Sequence, residues 1–350
     1  MEGLVGALSA WRGRKVLLTG HTGFKGSWLS LALASASAEV HGFSLSVPTR
    51  PALYEMARVR ELLTSSVMAD IRDFAAVQAA VQAAQPEVIF HLAAQPLVRE
   101  SYRTPLETMA TNVMGTAHLL EAARQVSSVK AVVVVTTDKC YQNQEWQWPY
   151  RERDALGGHD PYSASKACAE LVSACWRQSF DGPLIATARA GNVIGGGDWA
   201  ADRLVPDILS ALADGRPVVI RRPHAVRPWQ HVLEPLSGYL QLAEALLDGK
   251  GAEAWNFGPV DEDSVAVAEL AGSLCRLWGD GTLSVQDDGG PHEAGLLRLD
   301  SSKARQALGW RPRWRLEAAL AATSDWHRAW LSGADMQRLT IQQISSYFQS

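Results

Sequence analysis

The sequence lacks a strong net charge, a cysteine framework and any apolar run long enough to cross a bilayer. Its 350 residues carry 33 Lys plus Arg against 37 Asp plus Glu, a formal charge of −4. Such a near-neutral chain has no electrostatic footprint for nucleic acid or for an anionic membrane, so we expect neither partner. With 47% hydrophobic and 20% charged residues, the composition is that of a globular protein of one large or two modest domains.

Cysteines and targeting signals are equally sparse. The four cysteines are scattered, without the spacing of a zinc site or a disulfide framework. Cys168 and Cys175 would lie ~10 Å apart along one helix, too far for a bridge. The N-terminus carries Glu2 and no basic residue before its apolar positions, which is the wrong sign for a secretory signal. We expect a cytoplasmic protein without a metal site.

Strand and helix patterns alternate along the N-terminal half. Apolar runs predict strands at 15–19, 39–45, 87–92, 130–137 and 184–188, and helical patterns occupy 26–36, 73–84, 106–125 and 161–180. This alternation produces right-handed βαβ units and a parallel sheet with helices on both faces. We therefore predict an α/β fold with a Rossmann-type, doubly wound parallel sheet.

A glycine-rich turn joins the first predicted strand to the first helix. In Thr19-Gly-His-Thr-Gly-Phe-Lys-Gly26 the glycines recur at every third residue. Without a Cβ they let the backbone approach a pyrophosphate, and the helix start offers N–H groups and its positive dipole end. Because this is the first βα junction of the series, it predicts dinucleotide binding rather than a plain turn.

The identity of the dinucleotide stays open on these residues alone. Sheets that bind NAD place an acidic residue near the end of the second strand for the ribose 2′-hydroxyl, but this chain has Ser44 there. Arg50, slightly further on, would suit the 2′-phosphate of NADP. Asp70 has the position to accept a hydrogen bond from the adenine amino group, or to cap the following helix.

Tyr162 and Lys166 lie four residues apart in a predicted helix and therefore share one face. An ammonium beside a phenol favours the phenolate, which predicts an acid/base pair for interconverting an alcohol and a ketone. Taken alone, such a pair is usually a surface feature. The upstream dinucleotide turn and the Thr136-Thr-Asp-Lys139 cluster favour chemistry, because active sites of open α/β sheets lie at the carboxyl ends of strands.

Several motifs resemble the extended short-chain dehydrogenase/reductase family of nucleotide-sugar enzymes. They are the glycine turn, His91-Leu-Ala-Ala94, Asn112-Val-x-Gly-Thr116 and Tyr162-x-x-x-Lys166, and the match covers nearly the whole chain. Longer segments are similar to the CDP-D-glucose 4,6-dehydratases of that family, at 20–28, 137–141, 157–163, 189–199 and 227–232. The resemblance implies an NAD-dependent lyase that acts on CDP-glucose.

The resemblance also implies a mechanism: oxidation at C4 of the sugar, elimination of water across C5 and C6, and return of the hydride to C6. Tyr162 would take the C4 hydroxyl proton, Lys166 would lower the pKa of Tyr162 and hold the nicotinamide ribose, and Thr137 would hydrogen-bond the hydroxyl. Lys139 would remove the C5 proton, which requires its pKa to be depressed by burial or by neighbouring cations, while Asp138 protonates the departing C6 hydroxyl. In dTDP-sugar relatives a Glu occupies the position of Lys139. A solvated ion pair is the alternative for Asp138 and Lys139.

Cofactor contacts are implied at four places along the chain. The matching positions are Gly20, Thr22, Gly23, Phe24, Lys25 and Gly26 in the turn, then Asp70 and Ile71, then Leu92, Ala93 and Ala94, and finally Tyr162 and Lys166.

A basic segment would hold the diphosphate of a nucleotide sugar. Residues 215–233 carry four arginines, two histidines and no acidic residue, and arginine suits bidentate phosphate contact. The family pattern matches Arg227 and Asn192 to phosphate contacts and Arg203 to the nucleotide pocket. His292 lies in another family-like stretch and is counted with the substrate-binding candidates.

Arg221 and Arg222, within the basic segment, are equally compatible with an exposed strand face. A nonspecific nucleic-acid patch is disfavoured, because Trp229 is the one aromatic residue available for base stacking.

We expect two lobes. A dinucleotide-binding domain spans 1–190, with a strand near 254–258 returning to it, and a smaller mixed α/β lobe, mainly for the nucleotide sugar, spans 191–350. The helices at 106–125 and 161–180 carry apolar residues beyond one narrow stripe. The resemblance implies that they pair with their symmetry mates in a homodimer, although the same surface would serve as intramolecular core.

Other functions stay open. Another nucleotide-sugar 4,6-dehydratase, a 4-epimerase or a decarboxylase would share the fold and the Tyr–Lys pair, although the last two have no use for Asp138 and Lys139. A catalytically silent dinucleotide-binding protein is a different class, and the intact Thr137, Tyr162 and Lys166 argue against it.

Overall fold

The computed structural model describes residues 8–279, 281–286 and 295–350. The strands are β1 (Lys15–Thr19), β2 (Glu39–Ser44), β3 (Ser65–Met68), β4 (Val88–His91), β5 (Ala131–Val135), β6 (Leu184–Ala190), β7 (Asn192–Ile194), β8 (Val218–Ile220), β9 (Val226–His231), β10 (Ala254–Phe257), β11 (Ser264–Ala266) and β12 (Leu283–Val285). The helices are α1 (Phe24–Ser35), α2 (Leu53–Met56), α3 (Phe74–Ala84), α4 (Val98–Arg103), α5 (Pro105–Met109), α6 (Gly115–Arg124), α7 (Pro161–Ser179), α8 (Leu204–Ala213), α9 (Leu233–Leu247), α10 (Val267–Trp278), α11 (Ser302–Ala307), α12 (Leu316–Leu331) and α13 (Met336–Gln349).

Seven strands form the central sheet in the order β10-β6-β5-β4-β1-β2-β3, and every neighbouring pair is parallel. Strand β5 is buried at each of its positions, as expected where helices cover both faces of a parallel sheet. The strand order reverses between β1 and β4, and ligands of open α/β sheets bind beyond the carboxyl ends of the strands at that point. The predicted Rossmann-type fold is confirmed.

Two apolar cores cover the two faces of this sheet. On one face Trp28 of α1 packs with Tyr239 of α9 and Tyr347 of α13. On the other face α3 and α6 supply Val77 and Leu119, and α7 packs against the same core. Burial of an aliphatic side chain such as Val77 or Leu119 stabilises the fold by about 1.5–3 kcal/mol. Helices α9 and α13, from beyond residue 190, thus help to build the core of the sheet.

Local capping explains where the helices near the sheet begin. Asp73 accepts a hydrogen bond from Ala76 N at 3.1 Å and caps α3, so Asp70 does not cap that helix. Asp160 accepts one from Ser163 N at 2.9 Å and caps α7, with Pro161 in the first turn. The single helix expected at 106–125 is α5 and α6 joined by a π-helical turn, Ala110–Met114.

The C-terminal half adds two small sheets, β11-β9-β7 and β12-β8. Helices α8, α10 and α12 pack with them in a separate core that includes Ile208, Trp229 and Leu274. The strand expected near 254–258 is β10, which pairs in parallel with β6. The division of the chain at residue 190 stays a prediction.

The four cysteines all lie in the described part of the chain and form no disulfide with one another. Within that same part, no helix combines the length and the hydropathy needed to span a bilayer.

Candidate active site

The glycine turn after β1 is shaped by close backbone approaches. Gly20 has a φ of +77°, and a Cβ on it would lie 2.8 Å from Ala93 N. A Cβ on Gly26 would lie 2.1 Å from Gly20 O, so neither position accepts a side chain. Gly23 stands immediately before α1, which leaves the N–H groups of the first helical turn available to an anion.

The ends of β1 and β4 are tied together beside this turn. Thr19 Oγ1 lies 2.8 Å from His91 Nδ1 and accepts hydrogen bonds from the backbone N–H groups of Leu92 and Ala93, both at 3.1 Å. This places the segment Leu92–Ala94 against the glycine turn. Burial lowers the pKa of His91 to about 3, so this histidine is a neutral structural group.

The end of β2 carries hydroxyl groups where many NAD sites carry a carboxylate. Ser44 Oγ lies 2.7 Å from Thr22 Oγ1, so the two side chains join the strand end to the turn. Asp70 is held by Arg72, whose Nη2 lies 2.5 Å from Oδ2, and hydrogen bonds from Arg72 lower the pKa of Asp70. Ile71 is buried beside it, against Gly115. Asp70 is therefore an ionised acceptor.

A cavity of about 360 Å³ lies beyond the carboxyl ends of β5 and β6. One side, the strand-end wall, consists of Thr136, Thr137, Lys139 and Tyr162. A second group of lining residues, the arginine wall, consists of Arg203, Arg221, Arg222 and Arg227, and Asn192 also lines the cavity. The fold thus brings together residues that are far apart in sequence.

Thr137 organises the turn that carries Asp138 and Lys139. Its Oγ1 donates to Asp138 Oδ1 at 2.9 Å and accepts from Lys139 N at 3.3 Å. Lys139 Nζ donates to the same Oδ1 at 3.4 Å. The Asp138 side chain is completely buried, and its Oδ2 has no hydrogen-bond partner among the described residues. A buried acceptor without a partner is costly unless a ligand or a proton satisfies it.

Tyr162 and Lys166 are both buried at the start of α7. Burial raises the pKa of Tyr162 to about 12, although the Thr137 hydroxyl acts to lower it. Burial lowers the pKa of Lys166 to about 8, and Lys166 Nζ donates to Val135 O at 3.1 Å. We expected the Lys166 ammonium to bring the pKa of the phenol down; instead burial dominates, and the cation that acts to lower this pKa is Arg203.

Lys25, expected at the cofactor, also lines the cavity. Burial lowers its pKa to about 7, and the nearby positive charges of Arg203 and Lys166 act in the same direction. Asp138 and Asp198 oppose this shift. Lys25 therefore belongs to one electrostatic cluster with both walls of the cavity.

Carboxylates from outside the basic segment face the arginine wall. Arg203 Nη1 lies 3.2 Å from Asp198 Oδ2. Arg221 lies 3.1 Å from Asp202 and 3.8 Å from Asp207. Arg221 and Arg222 follow β8 and both border the cavity, and Arg222 is exposed, so a ligand contact for these two arginines stays a prediction.

The substrate-binding candidates have different surroundings. Arg227 is 7% exposed and donates to the carbonyls of Val226 and Gly295 at 2.9 and 3.3 Å. Asn192 Oδ1 is buried and accepts no hydrogen bond from the described residues. His292 lies outside the described residues.

Sequence reasoning missed two buried charged residues behind the strand-end wall, Glu170 and Arg189. Their side chains lie 2.7 Å apart and are each 3% exposed. A signal was present: Glu170 follows Lys166 by one helical turn, and a charged residue on a buried helix face requires a partner.

Comparisons with known proteins agree with this architecture. The family profile described as GDP-mannose 4,6 dehydratase matches residues 17–323. A CDP-glucose 4,6-dehydratase of Salmonella typhimurium strain LT2 is 51% identical over 348 residues, 96% of this chain and 97% of that protein. The solved dTDP-glucose 4,6-dehydratase of Streptomyces venezuelae, with NAD bound, has a TM-score of 0.79 at 26% identity and covers 92% of this chain and 99% of its own. The UDP-glucose 4-epimerase of Thermotoga maritima, with UDP-glucose, has a TM-score of 0.79 at 25% identity over 90% of this chain and 99% of its own.

Proposed function

We propose that this chain, which belongs to the GDP-mannose 4,6 dehydratase family, is a lyase that converts CDP-D-glucose to CDP-4-keto-6-deoxy-D-glucose and water. The observation that carries the proposal is the 51% identity to a CDP-glucose 4,6-dehydratase over 96% of the chain. The cavity supports it, because acid/base residues and a set of arginines line the same cavity. A nucleotide-sugar substrate requires cations for its phosphates, and its dehydration requires acid/base residues.

The glycine turn fits NAD. The backbone cradle that a Cβ at Gly20 or Gly26 would fill, together with the N–H groups at the start of α1, suits a pyrophosphate. Asp70 would accept from the adenine amino group. When bound, NAD supplies reversible hydride chemistry, taking a hydride from C4 of the sugar and returning it to C6.

Tyr162 would take the C4 hydroxyl proton, with Thr137 hydrogen-bonded to the same hydroxyl. Because burial raises the pKa of the phenol to about 12, a phenolate needs cationic support. Arg203 acts in that direction, and Lys166 lies one turn further along the same face of α7. The helix therefore presents a proton acceptor and the cation that supports it.

Asp138 and Lys139 would carry out the elimination. Lys139 removes the proton from C5, the C6 hydroxyl departs as water with a proton from Asp138, and a C5–C6 double bond forms. Their hydrogen bond through Oδ1 leaves Asp138 Oδ2 without a partner among the described residues, and this oxygen would carry the proton that is donated. The arrangement supports a dehydratase more than an epimerase, which has no use for a second acid/base pair.

The arginine wall would bind the diphosphate. Arginine donates two parallel hydrogen bonds to a phosphate, and charge-assisted bonds of this kind are about twice as strong as neutral ones. Arg227 and Asn192 would contact the phosphates, and Arg203 would lie beside the nucleotide. Because NAD and nucleotide sugars occur in the cytoplasm, we place the reaction there.

We also propose a homodimer. Large apolar side chains are exposed on α5, on the following π-helical turn and on α7: Leu106 is 85% exposed, Met114 52% and Leu171 59%. A second copy of the chain would cover such a surface. The variant Leu106→Glu/Leu171→Glu should halve the mass measured by light scattering, whereas Val285→Glu, at an exposed position elsewhere, should leave it unchanged. A monomeric wild type would refute the dimer.

The activity is tested by incubation with CDP-, dTDP-, UDP- and GDP-glucose, with and without added NAD, followed by mass analysis. Dehydration removes one water from the sugar, whereas epimerisation leaves the mass unchanged. We expect the product formed from CDP-glucose to be lighter than the substrate by the mass of one water. Turnover of dTDP-glucose but not of CDP-glucose would overturn the substrate assignment.

A further inference from the structure

A buried ion pair lies directly behind the strand-end wall. Arg189, at the end of β6, donates from Nε and Nη2 to the two carboxylate oxygens of Glu170 at 2.9 and 2.7 Å. Thr136 and Thr187 donate to the same carboxylate, at 2.5 and 2.7 Å. Burial alone would raise the pKa of Glu170, but the hydrogen bonds from Arg189 hold it below its usual value. The pair is therefore charged and saturated with hydrogen bonds.

This pair belongs to a two-point attachment between α7 and the end of β5. Lys166 Nζ donates to Val135 O at 3.1 Å. One helical turn further, Glu170 accepts from Thr136, the next residue of the strand end. Two successive backbone positions are thus fixed immediately before Thr137. A shift of Glu170 would displace the residue that organises the turn of Asp138 and Lys139.

The attachment extends to the cavity lining. Arg189 Nη1 donates to Tyr141 Oη at 2.8 Å, and its guanidinium lies 4.8 Å from the centre of the Tyr141 ring. Tyr141 lines the cavity and donates to Asn256 Oδ1 of β10 at 2.7 Å. One buried pair therefore connects α7, β5, β6, β10 and the cavity.

We propose that Glu170 and Arg189 are positioning residues for the dehydration, which fix the end of β5 and set the protonation of Lys166 from behind the cavity. The inference rests on the proposed function only through the activity used to measure it. Neither side chain lines the cavity, so both act through Thr136, Tyr141 and Lys166.

The pKa of Lys166 reports the charge state of the Glu170–Arg189 pair, because few other charged groups lie near this lysine. The titratable groups around it are Glu170 and Tyr162 on α7, Cys140 in the turn after β5, Lys25 at the start of α1 and His91 at the end of β4. Glu170 raises the pKa of Lys166, whereas burial lowers it. Arg189 reaches Lys166 by neutralising Glu170. Removing one charge of the pair should therefore shift the titration of Lys166 in a known direction.

The test is the pH dependence of kcat/KM for CDP-glucose with NAD present. If charged Lys166 is required, the rate falls as the pH rises through the pKa of Lys166, near 8. Glu170→Gln removes the negative charge and leaves Arg189⁺, so the protonated lysine is disfavoured and the fall should move to lower pH by about one unit. The double variant Glu170→Gln/Arg189→Met removes both charges. Its kcat/KM should therefore decrease at a higher pH than that of Glu170→Gln.

If Glu170 and Arg189 had only a structural role, the double variant would be no closer to the wild type than Glu170→Gln, because the second substitution restores none of the lost contacts. A higher pH for the decrease in the double variant therefore indicates an effect of charge. Glu234→Gln is the matched control: Glu234 is a buried glutamate on α9 that accepts hydrogen bonds from Trp314 N and Tyr347 Oη, both at 2.7 Å, and it does not line the cavity. It should change thermal stability without moving the fall in rate. The inference would be overturned if kcat/KM of Glu170→Gln decreased at the same pH as that of the wild type. It would also be overturned if kcat/KM of the double variant decreased at the same pH as that of Glu170→Gln, or at a lower one.

The same titration can be followed without turnover, through the pH dependence of NAD affinity measured by tryptophan fluorescence. If the wild type converts no nucleotide glucose, the proposed function fails, and the order of the three NAD-binding profiles still decides the inference. If the wild type is active but the profiles coincide, the inference fails and the function stands.

Discussion

The two walls of the cavity are built on different physical terms. On the strand-end wall, Thr137 and Tyr162 are 6% and 8% exposed, and buried hydrogen bonds fix the residues behind them. The Lys139 side chain, at 31% exposed, is the member of this wall that water reaches. The arginine wall is wetter and charged, with the side chains of Arg203 and Arg221 33% and 34% exposed. Arg203 and Arg221 are paired with carboxylates that a ligand would have to displace or share, whereas Arg227 is buried and donates to backbone carbonyls.

The difference in exposure between the two walls indicates which wall can contribute to catalysis and which to binding of the sugar. In a dry, fixed site a hydrogen bond or a proton acceptor is placed before the substrate arrives, so no reorganisation accompanies the reaction. At a partly exposed ion pair the interaction is screened by water and salt, and each pair is worth little. Chemistry should therefore depend on the strand-end wall and binding on the arginine wall.

The variant Lys139→Ala gives the strongest test of this division between catalysis and binding. Loss of the base should abolish exchange of the C5 proton with solvent and lower kcat by about 10²–10⁴-fold, while the affinity for CDP-glucose stays within about 3-fold, because the diphosphate contacts are elsewhere. Deuterium incorporation at C5 in D₂O and calorimetric titration give the two quantities.

The control for that variant is Lys130→Ala, which removes an exposed lysine at the opposite end of the same strand region. It should retain wild-type exchange. Wild-type exchange in Lys139→Ala itself would remove Lys139 from the mechanism and leave the strand-end wall without a base for C5.

The second largest effect is expected on the arginine wall, where Arg227→Met should weaken substrate binding. Arg227 is buried, and loss of a charge-assisted contact to phosphate costs about 1.5–3 kcal/mol, so KM should rise about 10–100-fold with kcat nearly unchanged. The matched substitution Arg221→Met should change KM less than about 3-fold, because Asp202 and Asp207 already hold that arginine. Steady-state kinetics of the two variants check this. A fall in kcat with constant KM in Arg227→Met would contradict the division of labour.

Much of the fold could be predicted because its signals are local. The all-valine interior of β5 and the glycine turn each follow from a few adjacent residues, since burial on both faces and close backbone approach impose residue types directly. The π-helical turn at Ala110–Met114 could not be predicted, because it depends on how the helix packs rather than on its periodicity. The part played by α9 and α13 in the core of the sheet is likewise a tertiary property.

The candidate site divides in the same way. That Thr137, Lys139 and Tyr162 line one cavity could be predicted because the carboxyl ends of parallel strands meet at one edge, whereas their roles in the reaction are implied by the family resemblance. The carboxylates opposite Arg203 and Arg221 were missed, since Asp198 and Asp202 lie outside the basic segment and reach it only through the fold. The raised pKa of Tyr162 was missed for a related reason: desolvation depends on burial, which spacing along a helix does not measure.

The smallest expected effect separates the two walls without any substitution. Raising the salt concentration from about 0.05 to about 0.5 M shortens the Debye length from roughly 14 to roughly 4 Å. Screening then weakens the attraction between a diphosphate and the exposed arginines, so KM should rise a few-fold. Buried contacts such as Lys166 to Val135 are not reached by ions, so kcat should stay constant. Steady-state kinetics across this range, with KCl and NaCl compared to separate screening from specific ion binding, measure both quantities. A kcat that falls with salt at constant KM would mean that the step on the strand-end wall, and not the binding step, depends on solvent-exposed charge.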